Sequence, residues 1–583
     1  MMNHSSRHLE PNLRLKLEGW RSRSVLLLCL GAFALLLARA FFLQGMNNDF
    51  LQAKGEARFM RVVDMPASRG AVMDRNGKPL AVSTPVESIW ASPAEMEIDA
   101  AQLAQLAGAL KLDRNSLSAR LAEKDKNFVW LKRQLSPAEA TKVIALKIPG
   151  VFQQREYRRF YPSGDVTAHV IGFTGKEDQG QEGIELAQQS HLTGSPGQRR
   201  VIKDRKGRIV EDIENLKAPR EGKSLRLSID ERLQYLAHRE LKAAVEANKA
   251  KGGALVVLDA RTGEVLALVN QPDFNPNNRV NWNPQQARNR SVTDTFEPGS
   301  TFKPFAVSAA LDVGILKPET VIATGPGLTI GAKTITDLPH RSDRLTVAEI
   351  IQKSSNIGTA KIALQLPSAQ LWNLYNDLGF GTAPRTGFPG EASGKLRAVK
   401  TWKPIEQATM GFGYGVSVSA LQLARAYTIF TNDGVLLPAT FIKREGDVIG
   451  KQIISPKTAK TMSRMLETVT QSGGTATQGQ VPGFRVAGKT GTAHKFVNGQ
   501  YAEHLYVSSF VGYGPVSSPR YIIAVMIDEP GAGKHFGGDV SAPVFSNVMS
   551  QALRMSGAQP DAADAPQRRE ANAAPISGTK DRG

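Results

Sequence analysis

The order of three short polar motifs constrains this 583-residue chain more than any other feature of its sequence. The nucleophile motif contains Ser300 and Lys303 and follows the breaker Pro298-Gly299. The serine–asparagine motif is Ser354-Ser355-Asn356, and the lysine–threonine motif is Lys489-Thr490-Gly491-Thr492. A nucleophile, a helper serine with an amide, and a cationic strand end are what acyl transfer onto serine requires without histidine. The fold must therefore bring segments far apart in sequence into one cleft.

The sequence around Ser300 predicts the start of a helix. Pro304 is tolerated only in a first turn, so Ser300 must lie near the helix N-terminus, on the same face as Lys303. The free N–H groups and the positive dipole end there suit negative charge that develops on an attacked carbonyl. Lys303 can accept the serine proton only if it is neutral, which burial favours. An isolated motif of this kind would be read as a helix-cap serine beside a surface lysine. A chance match to the motif occurs at 577–580, in the tail predicted to be disordered.

The serine–asparagine motif follows a helical stretch at 347–353. Ser354 and Asn356 are two residues apart, so in a loop both side chains could point into one cleft. A hydroxyl can relay a proton, and an amide can hold a substrate peptide and a lysine together. The alternative reading of such a triplet is a helix cap or a polar turn.

The lysine–threonine motif is expected at the end of a strand, followed by a loop at 493–503. Gly491 would let a ligand backbone approach closely. Lys489 supplies positive charge for a carboxylate, while Thr490 and Thr492 supply hydroxyl and backbone donors. A substrate with a free carboxylate could pair here as an added strand. The alternative is a plain strand-to-loop transition.

Composition and charge narrow the class of protein. The formal net charge of +19 has two readings, a solvated basic surface or attraction to an anionic membrane or polymer. Nucleic acid ranks last, because no recognition motif accompanies the charge. The single cysteine, Cys29, excludes an intramolecular disulfide and a cysteine-based metal site. The histidines show no metal-ligand spacing, so we predict no metal and no cofactor.

An apolar run at 25–43, interrupted by Arg39, is long enough to span a bilayer as a helix. Basic residues outnumber acidic ones before this run, whereas the charges after it balance. This asymmetry predicts a single-pass anchor with the N-terminus in the cytoplasm and the rest of the chain outside. A cleaved signal peptide is the competing reading, but the apolar run continues through Leu43. A buried core helix fits the lopsided arginines less well.

The chain divides into five predicted segments. They are a cytoplasmic tail at 1–23, a transmembrane helix at 24–44, a non-catalytic pedestal at 45–222, a catalytic domain at 223–555 and a disordered tail at 556–583. In the pedestal, Asn76-Gly77 predicts a hairpin turn, and leucines between 103 and 121 fall on helical faces. The pedestal does not combine a nucleophile, a base and oxyanion donors, so we interpret it as a spacer or docking region.

Strands are predicted at both ends of the catalytic domain, with helices between about 273 and 466. The predicted strands are 225–229, 254–259, 265–270, 484–490, 506–513 and 521–527, and the predicted flanking helices are 230–248 and 543–555. Strands at both ends of a helical middle imply an α+β domain. Its antiparallel sheet would form from two halves that meet across that middle.

At these motifs the chain resembles the penicillin-binding proteins, which share the three motifs with the serine β-lactamases. The similar segments, beyond the motifs, are 69–80, 158–162, 180–185, 296–304, 413–415 and 421–424. The resemblance covers most of 20–555. The single anchor and the pedestal are most similar to the class B, division-specific FtsI-type transpeptidases, with the elongation paralogue as the alternative.

The resemblance implies a transpeptidase domain with an antiparallel sheet flanked by helices and an all-helical lobe. This domain would stand on an elongated mixed pedestal domain behind one transmembrane helix. The resemblance places that helix in the inner membrane, with the N-terminus cytoplasmic and the catalytic domain periplasmic. Ser300 would attack the penultimate D-alanine carbonyl of a peptidoglycan stem peptide, with Lys303 as general base. The terminal D-alanine would leave, and the amine of a neighbouring stem would take the acyl group during septal wall synthesis.

The resemblance also assigns the remaining roles. Ser354 and Asn356 would help proton transfer and hold the peptide, and the lysine–threonine motif would bind the terminal carboxylate. The N–H groups of Ser300 and Thr492 would form the oxyanion hole, and β-lactams would trap Ser300. We find no glycosyltransferase module, so a partner that polymerises lipid II and other division proteins are expected.

Three alternatives remain open. A serine β-lactamase would deacylate rapidly with water, and the pedestal and anchor disfavour it. A sensor or scaffold with a vestigial site is disfavoured by the intact motifs. A D,D-carboxypeptidase would use water in place of the acceptor amine, and the sequence does not separate it well from a transpeptidase.

Overall fold

The computed structural model describes residues 18–46, 60–203, 209–280, 282–337 and 342–562. The chain forms two compact units whose segments alternate along the sequence. The smaller unit comprises Met1–Pro66, Glu87–Gln154 and Pro196–Arg220, and the larger unit comprises Ala67–Val86, Arg155–Ser195 and Glu221–Gly583. The predicted pedestal at 45–222 therefore contributes residues to both units.

The smaller unit begins with the helix Gly19–Phe41, which continues as a π-helical turn at Phe42–Met46. The segment Gly19–Gly45 has a mean hydropathy of 2.4 and is long and apolar enough to cross a membrane. Its large apolar side chains are exposed, as a helix surrounded by lipid requires. The predicted span at 24–44 lies within this segment.

Two further structures make up the smaller unit. One is an antiparallel sheet of Met60–Met65, Gly197–Lys203 and Ile209–Lys217, with Gly197–Lys203 in the centre. The other is a separate core formed by the end of the strand Pro79–Ala91, the strand Val129–Leu135 and three helices. These helices are Ala100–Leu110, Arg114–Leu121 and Pro137–Ile144. They bury Leu106, Leu110, Leu117 and Leu121, as the leucine spacing predicted.

The larger unit contains the predicted hairpin turn. Asn76-Gly77 joins Val72–Met73 to Pro79–Ala91, and Gly77 has a φ of +89°, which the missing Cβ permits. The carboxylate of Asp74 accepts hydrogen bonds at 2.8 Å from the backbone N–H groups of Asn76 and Lys78, and these bonds close the turn.

A cluster of buried charged side chains connects three segments of the larger unit that belong to the predicted pedestal. Glu185 accepts from Arg69 Nε at 2.5 Å and from Arg159 Nε at 2.6 Å, and all three side chains are buried. This region also contains the second part of the strand Val151–Phe160, the 3₁₀ turn Gly164–Thr167 and the helices Ala168–Ile171, Gly183–Ala187 and Gln189–Leu192.

The centre of the larger unit is a five-stranded antiparallel sheet, called the central sheet below. Its order is Val265–Gln271, Gly252–Asp259, Tyr521–Asp528, Gln500–Gly514 and Ala487–Val497. Two strands precede the helical middle and three follow it, which confirms the predicted arrangement. The helices Glu231–Ala247 and Ala542–Met555 pack against this sheet and against each other.

Some predicted strand limits are wrong. The predicted strand at 484–490 begins only at Ala487 and runs on to Val497, and its partner begins at Gln500. The predicted loop at 493–503 is therefore mostly a hairpin. Asn498 and Gly499 turn it with φ values of +53° and +85°, as a tight hairpin requires. The predicted strand at 225–229 is reduced to Leu225–Arg226.

Helices dominate the middle of the larger unit, as predicted. They are Arg290–Thr293, Lys303–Asp312, Val347–Lys353, Asn356–Leu364, Ser368–Asp377, Pro404–Gly411, Ala420–Ala426, Thr428–Thr431 and Pro456–Thr468, with Gly537–Val540 nearer the C-terminus. Short strand pairs accompany them, namely Val321–Ala323 with Arg344–Thr346, Leu328–Ile330 with Lys333–Ile335, and Val435–Leu436 with Lys451–Gln452. An aromatic core of Phe302, Phe305, Tyr375 and Phe380 supports the helix Lys303–Asp312.

The chain beyond the last helix departs from the predicted disorder at its start. Asp561 accepts a 2.7 Å hydrogen bond from the backbone N–H of Arg485, so residues 556–562 are held on the larger unit. Their polar composition hid this, because the contacts use mainly backbone groups. Residues 563–583 lie outside the described residues.

Candidate active site

Ser300 lies in a 3₁₀ turn, Gly299–Phe302, and the α-helix begins only at Lys303 with Pro304 in its first turn. The prediction that Ser300 begins the α-helix is therefore wrong by three residues, because a 3₁₀ turn precedes the α-helix. Ser300 is partly exposed, whereas its neighbours Gly299 and Thr301 are buried. The backbone N–H of Gly299 donates to the carbonyl of Gly413 at 3.1 Å, which anchors the turn.

Lys303 joins the first two motifs. Its side chain is fully buried, and Nζ lies 2.6 Å from the carbonyl oxygen of Ser354, 3.1 Å from Ser354 Oγ and 2.8 Å from Asn356 Oδ1. The structure thus brings together three of the side chains that the sequence selected, directly after the turn that carries Ser300.

The serine–asparagine motif is a junction between two helices and not a loop. Ser354 ends the helix Val347–Lys353 in a left-handed conformation with a φ of +61°. Ser355 then caps the helix Asn356–Leu364, and its Oγ accepts from the N–H of Gly358 at 2.9 Å. This sharp reversal turns both Ser354 and Asn356 towards Lys303.

Asp337 fixes the serine–asparagine motif, and the sequence did not reveal this role. Its carboxylate accepts from Ser355 Oγ and Asn356 N, both at 2.5 Å, and from Ile357 N at 3.2 Å. Asn356 Nδ2 donates to the carbonyl of Thr336 at 3.1 Å, which leaves Oδ1 of the same amide for Lys303. An acceptor at a helix N-terminus satisfies otherwise free N–H groups.

The lysine–threonine motif lies in the first half of the edge strand Ala487–Val497 of the central sheet. Lys489 is fully buried, with Nζ 3.3 Å from Thr490 Oγ1. Thr490 Oγ1 lies 2.9 Å from Thr475 Oγ1, and Thr492 Oγ1 accepts from the N–H of Gly537 at 3.0 Å. Thr475 was missed because a single threonine in a glycine-rich turn carries no motif.

The nucleophile turn packs directly on this strand. A Cβ added at Gly491 would lie 2.7 Å from the carbonyl oxygen of Pro298 and 2.9 Å from Thr301 Cγ2. A Cβ added at Gly299 would lie 3.2 Å from the carbonyl oxygen of Thr492. The close approach requires glycine at Gly491, whereas at Gly299 the φ of +53° and the tight contact both favour glycine. The three motifs thus converge in one part of the larger unit.

Glu297 links the turn to two neighbouring segments. Its Oε1 accepts from the N–H of Gly415 at 2.8 Å and from the hydroxyl of Tyr501 at 3.1 Å. Burial raises the pKa of the Glu297 carboxyl. The hairpin that follows the lysine–threonine motif is therefore tied to the residue that precedes the nucleophile motif.

One group of possible metal ligands exists among the described residues. Single ligand atoms of Asp165, His238 and Asp273 lie within 4.8 Å of one another. Lys242 Nζ already contacts Asp273 at 3.1 Å, so a cation is present there without a metal. The absence of a metal site stays a prediction.

Comparison with known proteins identifies the family. The model of the penicillin-binding protein transpeptidase domain matches residues 253–550, and that of the penicillin-binding protein dimerisation domain matches residues 64–227. The chain belongs to the penicillin-binding proteins. Both matched domains are present in the order that the sequence predicted, so the predicted family, fold class and enzyme class are confirmed.

Named relatives cover nearly the whole chain. It is 45% identical over 532 residues to a probable peptidoglycan D,D-transpeptidase PenA of Neisseria meningitidis, with 91% of each chain covered. It is 42% identical over 551 residues to the peptidoglycan D,D-transpeptidase FtsI of Escherichia coli, with 93% of each covered. These relatives support assignment to class B.

Solved structures agree with this assignment. The transpeptidase domain of Burkholderia pseudomallei penicillin-binding protein 3 matches with a TM-score of 0.54 and 47% identity, covering 58% of this chain and 98% of that domain. A peptidoglycan synthetase of Bifidobacterium adolescentis matches with a TM-score of 0.69 and 25% identity, covering 86% and 98%.

Proposed function

We propose that this penicillin-binding protein is a serine D,D-transpeptidase that cross-links peptidoglycan stem peptides through an acyl-enzyme on Ser300. The observation that carries the proposal is the contact of buried Lys303 with Ser354 and Asn356, one turn after Ser300. The D,D-transpeptidase activity for which the PenA and FtsI relatives are named supports the reaction class.

Lys303 accepts the proton of Ser300 in this proposal. A neutral amine can donate two hydrogen bonds and keeps one lone pair. The carbonyl of Ser354 and Oδ1 of Asn356 can only accept, so they take these two bonds. The lone pair is then left for a hydroxyl proton, first that of Ser300 and later that of Ser354. Two fixed acceptors thus orient the base before the reaction begins.

Acylation follows from this arrangement. Ser300 Oγ bonds to the carbonyl carbon of the penultimate D-alanine as its proton moves to Lys303 Nζ. The carbon–nitrogen bond to the terminal D-alanine then breaks. The leaving nitrogen takes a proton from Lys303 through the Ser354 hydroxyl, which lies 3.1 Å from Nζ. The acceptor amine reverses these steps, since it attacks the ester carbonyl and returns the proton to Ser300 Oγ.

The lysine–threonine motif binds the substrate carboxylate and the oxyanion. Lys489 supplies the buried positive charge, and the hydroxyls of Thr490 and Thr492 supply donors. The N–H groups of Ser300 and Thr492 would donate to the developing oxyanion. The close packing of Gly299 on the carbonyl of Thr492 supports this pairing of the two segments.

A β-lactam would acylate Ser300 in the same way, because its ring amide resembles the D-alanyl-D-alanine end. We also propose a septal role, supported by the similarity to FtsI, together with a partner that polymerises lipid II. The apolar helix Gly19–Phe41 would anchor the chain in the inner membrane with its N-terminus in the cytoplasm. Retention in membranes after an alkaline carbonate wash tests this anchor, and release into the soluble fraction contradicts it.

The test of the activity compares the full chain with Ser300→Ala. The unchanged chain should bind fluorescent penicillin covalently and should cross-link nascent peptidoglycan when a lipid II polymerase is supplied. Ser300→Ala should lose both activities while its melting temperature stays within a few degrees. Retained labelling would place the nucleophile elsewhere. Fast hydrolysis of the adduct would indicate a β-lactamase, and release of D-alanine without cross-links would indicate a carboxypeptidase.

A further inference from the structure

The segment after the last helix, residues 556–562, is called the C-terminal clip below. We propose that the clip positions the edge strand that carries the lysine–threonine motif. The helix Ala542–Met555 is capped by Ser556, and the next residue, Gly557, reverses the chain with a φ of +64°. The N–H groups of Gly557 and Ala558 donate to Arg554 at 3.1 Å and to Leu553 at 3.0 Å, which closes the helix end. The chain then returns over the larger unit.

Asp561 is the main contact of the clip. Its Oδ1 accepts from the backbone N–H of Arg485 at 2.7 Å, and its Oδ2 accepts from the backbone N–H of Ser517 at 3.1 Å. The N–H groups of Asp561 and Ala562 donate in return to the carbonyl of Gly483, at 3.2 and 3.3 Å. One carboxylate thus bridges two separate loops, and hydrogen bonds to a charged acceptor are the stronger kind.

The two bridged loops define where the edge strand enters the central sheet. Arg485 lies just before the strand Ala487–Val497. Ser517 lies in the turn that joins the two neighbouring strands, Gln500–Gly514 and Tyr521–Asp528. The N–H of Val516 in this turn donates to the carbonyl of Arg485 at 2.9 Å. Asp561 therefore connects the start of the edge strand to the turn between the two neighbouring strands.

The position of an edge strand depends more on such additional contacts than the position of a central strand does. Among the strands that the structure describes, Ala487–Val497 has a neighbour on one side only, so a single ladder of hydrogen bonds sets its position. Side chains of the helical middle hold the same entry point. Glu467 binds the guanidinium of Arg485 at 2.6 Å, and Thr470 Oγ1 donates to the carbonyl of Val486 at 3.1 Å. The clip supplies the acceptor for the backbone N–H of Arg485, next to these contacts.

The clip therefore acts on the site through the strand and touches no reacting atom. Asp561 is a positioning residue, and the group it positions is Lys489 with the threonines that follow. The match to the transpeptidase domain ends at residue 550, so the clip lies outside the matched residues. The inference rests on the proposed function, because it takes the lysine–threonine motif as the carboxylate site.

The experiment uses the full chain in detergent and follows acylation by fluorescent penicillin. The binding constant and the first-order acylation rate are obtained separately from the dependence on penicillin concentration. Asp561→Ala should weaken binding about fivefold, because the carboxylate site loses its alignment while Ser300 and Lys303 keep theirs. Asp561→Asn should bind penicillin more weakly than the unchanged chain and more tightly than Asp561→Ala, because an amide keeps one acceptor oxygen. Asp447→Ala, at an exposed aspartate, is the matched control.

Truncations give a second measurement. A chain that stops after Ala562 keeps the clip and should bind penicillin like the full chain. A chain that stops after Met555 should bind at least as weakly as Asp561→Ala. Unchanged binding in Asp561→Ala, or a lower melting temperature with unchanged binding, would overturn the proposal. Labelling of Ser300 in the full chain would still stand in that case, whereas labelling of Ser300→Ala would overturn the proposed function itself.

Discussion

Lys303 Nζ lies 2.8 Å from Asn356 Oδ1, although 53 residues separate the two positions in the sequence. The contact is made in the buried part of the larger unit, directly after the turn that carries Ser300. A second hydrogen-bond partner of Lys303, the carbonyl of Ser354, belongs to the same helix junction as Asn356. The orientation of the proposed base is therefore set by the serine–asparagine motif.

Replacing Asn356 by alanine should slow acylation by fluorescent penicillin about 10- to 100-fold, because Lys303 loses one of its two fixed acceptors. Asn356→Asp keeps an acceptor but places a carboxylate beside Lys303, which stabilises the charged amine and should also slow acylation. Stopped-flow measurement of both variants checks this. An acylation rate near that of the unchanged chain in either variant would contradict the assignment of Lys303 as base.

Asp337→Ala should lower both stability and acylation, because Ser355 Oγ and the N–H groups of Asn356 and Ile357 lose their acceptor. We expect a loss of about 1–3 kcal/mol in the free energy of unfolding. Thermal unfolding and penicillin labelling are the measurements. Asp343→Ala, an exposed position on the same connection, is the control and should leave both unchanged.

Gly491→Ala should abolish acylation or prevent folding of the larger unit. The new Cβ would meet Ser509 Oγ at 2.3 Å and the carbonyl oxygen of Pro298 at 2.7 Å, and the backbone there cannot yield cheaply. Gly108→Ala is the matched control, because nothing lies within 4 Å of the added Cβ in its helix. Wild-type labelling by Gly491→Ala would show that the turn and the strand do not pack as described.

The stability of the larger unit should fall in acid because of His169. Burial lowers the pKa of His169 to about 4, and its ring N–H donates to the carbonyl of Gln286 at 2.7 Å. The unfolded chain takes up this proton near pH 6.5, so between pH 6.5 and 4 it binds more protons than the folded chain. Stability therefore falls as the pH drops through this window.

His169→Gln removes the titration and is the variant that isolates it. Between pH 7 and pH 5 the unchanged chain should lose about 2 kcal/mol more unfolding free energy than this variant. Denaturant unfolding at the two pH values measures the difference. Equal losses in both proteins would mean that His169 is protonated in the folded state.

Local chemistry made much of the fold and the site predictable. The nucleophile turn followed from Pro298-Gly299 and Pro304, since proline and glycine restrict the backbone wherever they occur. The two halves of the central sheet followed from apolar runs at both ends of the domain. Asn498-Gly499 carries the same hairpin signal as Asn76-Gly77, and applying the rule there would have replaced the predicted loop by the observed hairpin.

Long-range partners escaped prediction. Asp337 is one aspartate among many in the sequence. Its role depends on the helix junction that begins at Ser354, and only the folded chain brings that junction close to Asp337. The tail at 556–562 has the polar composition of a disordered segment, yet Asp561 finds two backbone donors in distant loops. Composition indicates how much apolar surface a segment can bury. It does not indicate which backbone N–H groups elsewhere in the fold need a hydrogen-bond acceptor.

Mapping the penicillin adduct by mass spectrometry tests the central claim most directly. Trypsin should release the adduct in the peptide 291–333, because proline follows both Lys303 and Lys317 and blocks cleavage there. Fragmentation should place the added mass on Ser300, and the same peptide from Ser300→Ala should carry none. An adduct on any other residue, or a stable adduct in Ser300→Ala, would contradict a single acyl-transfer site built from the three motifs.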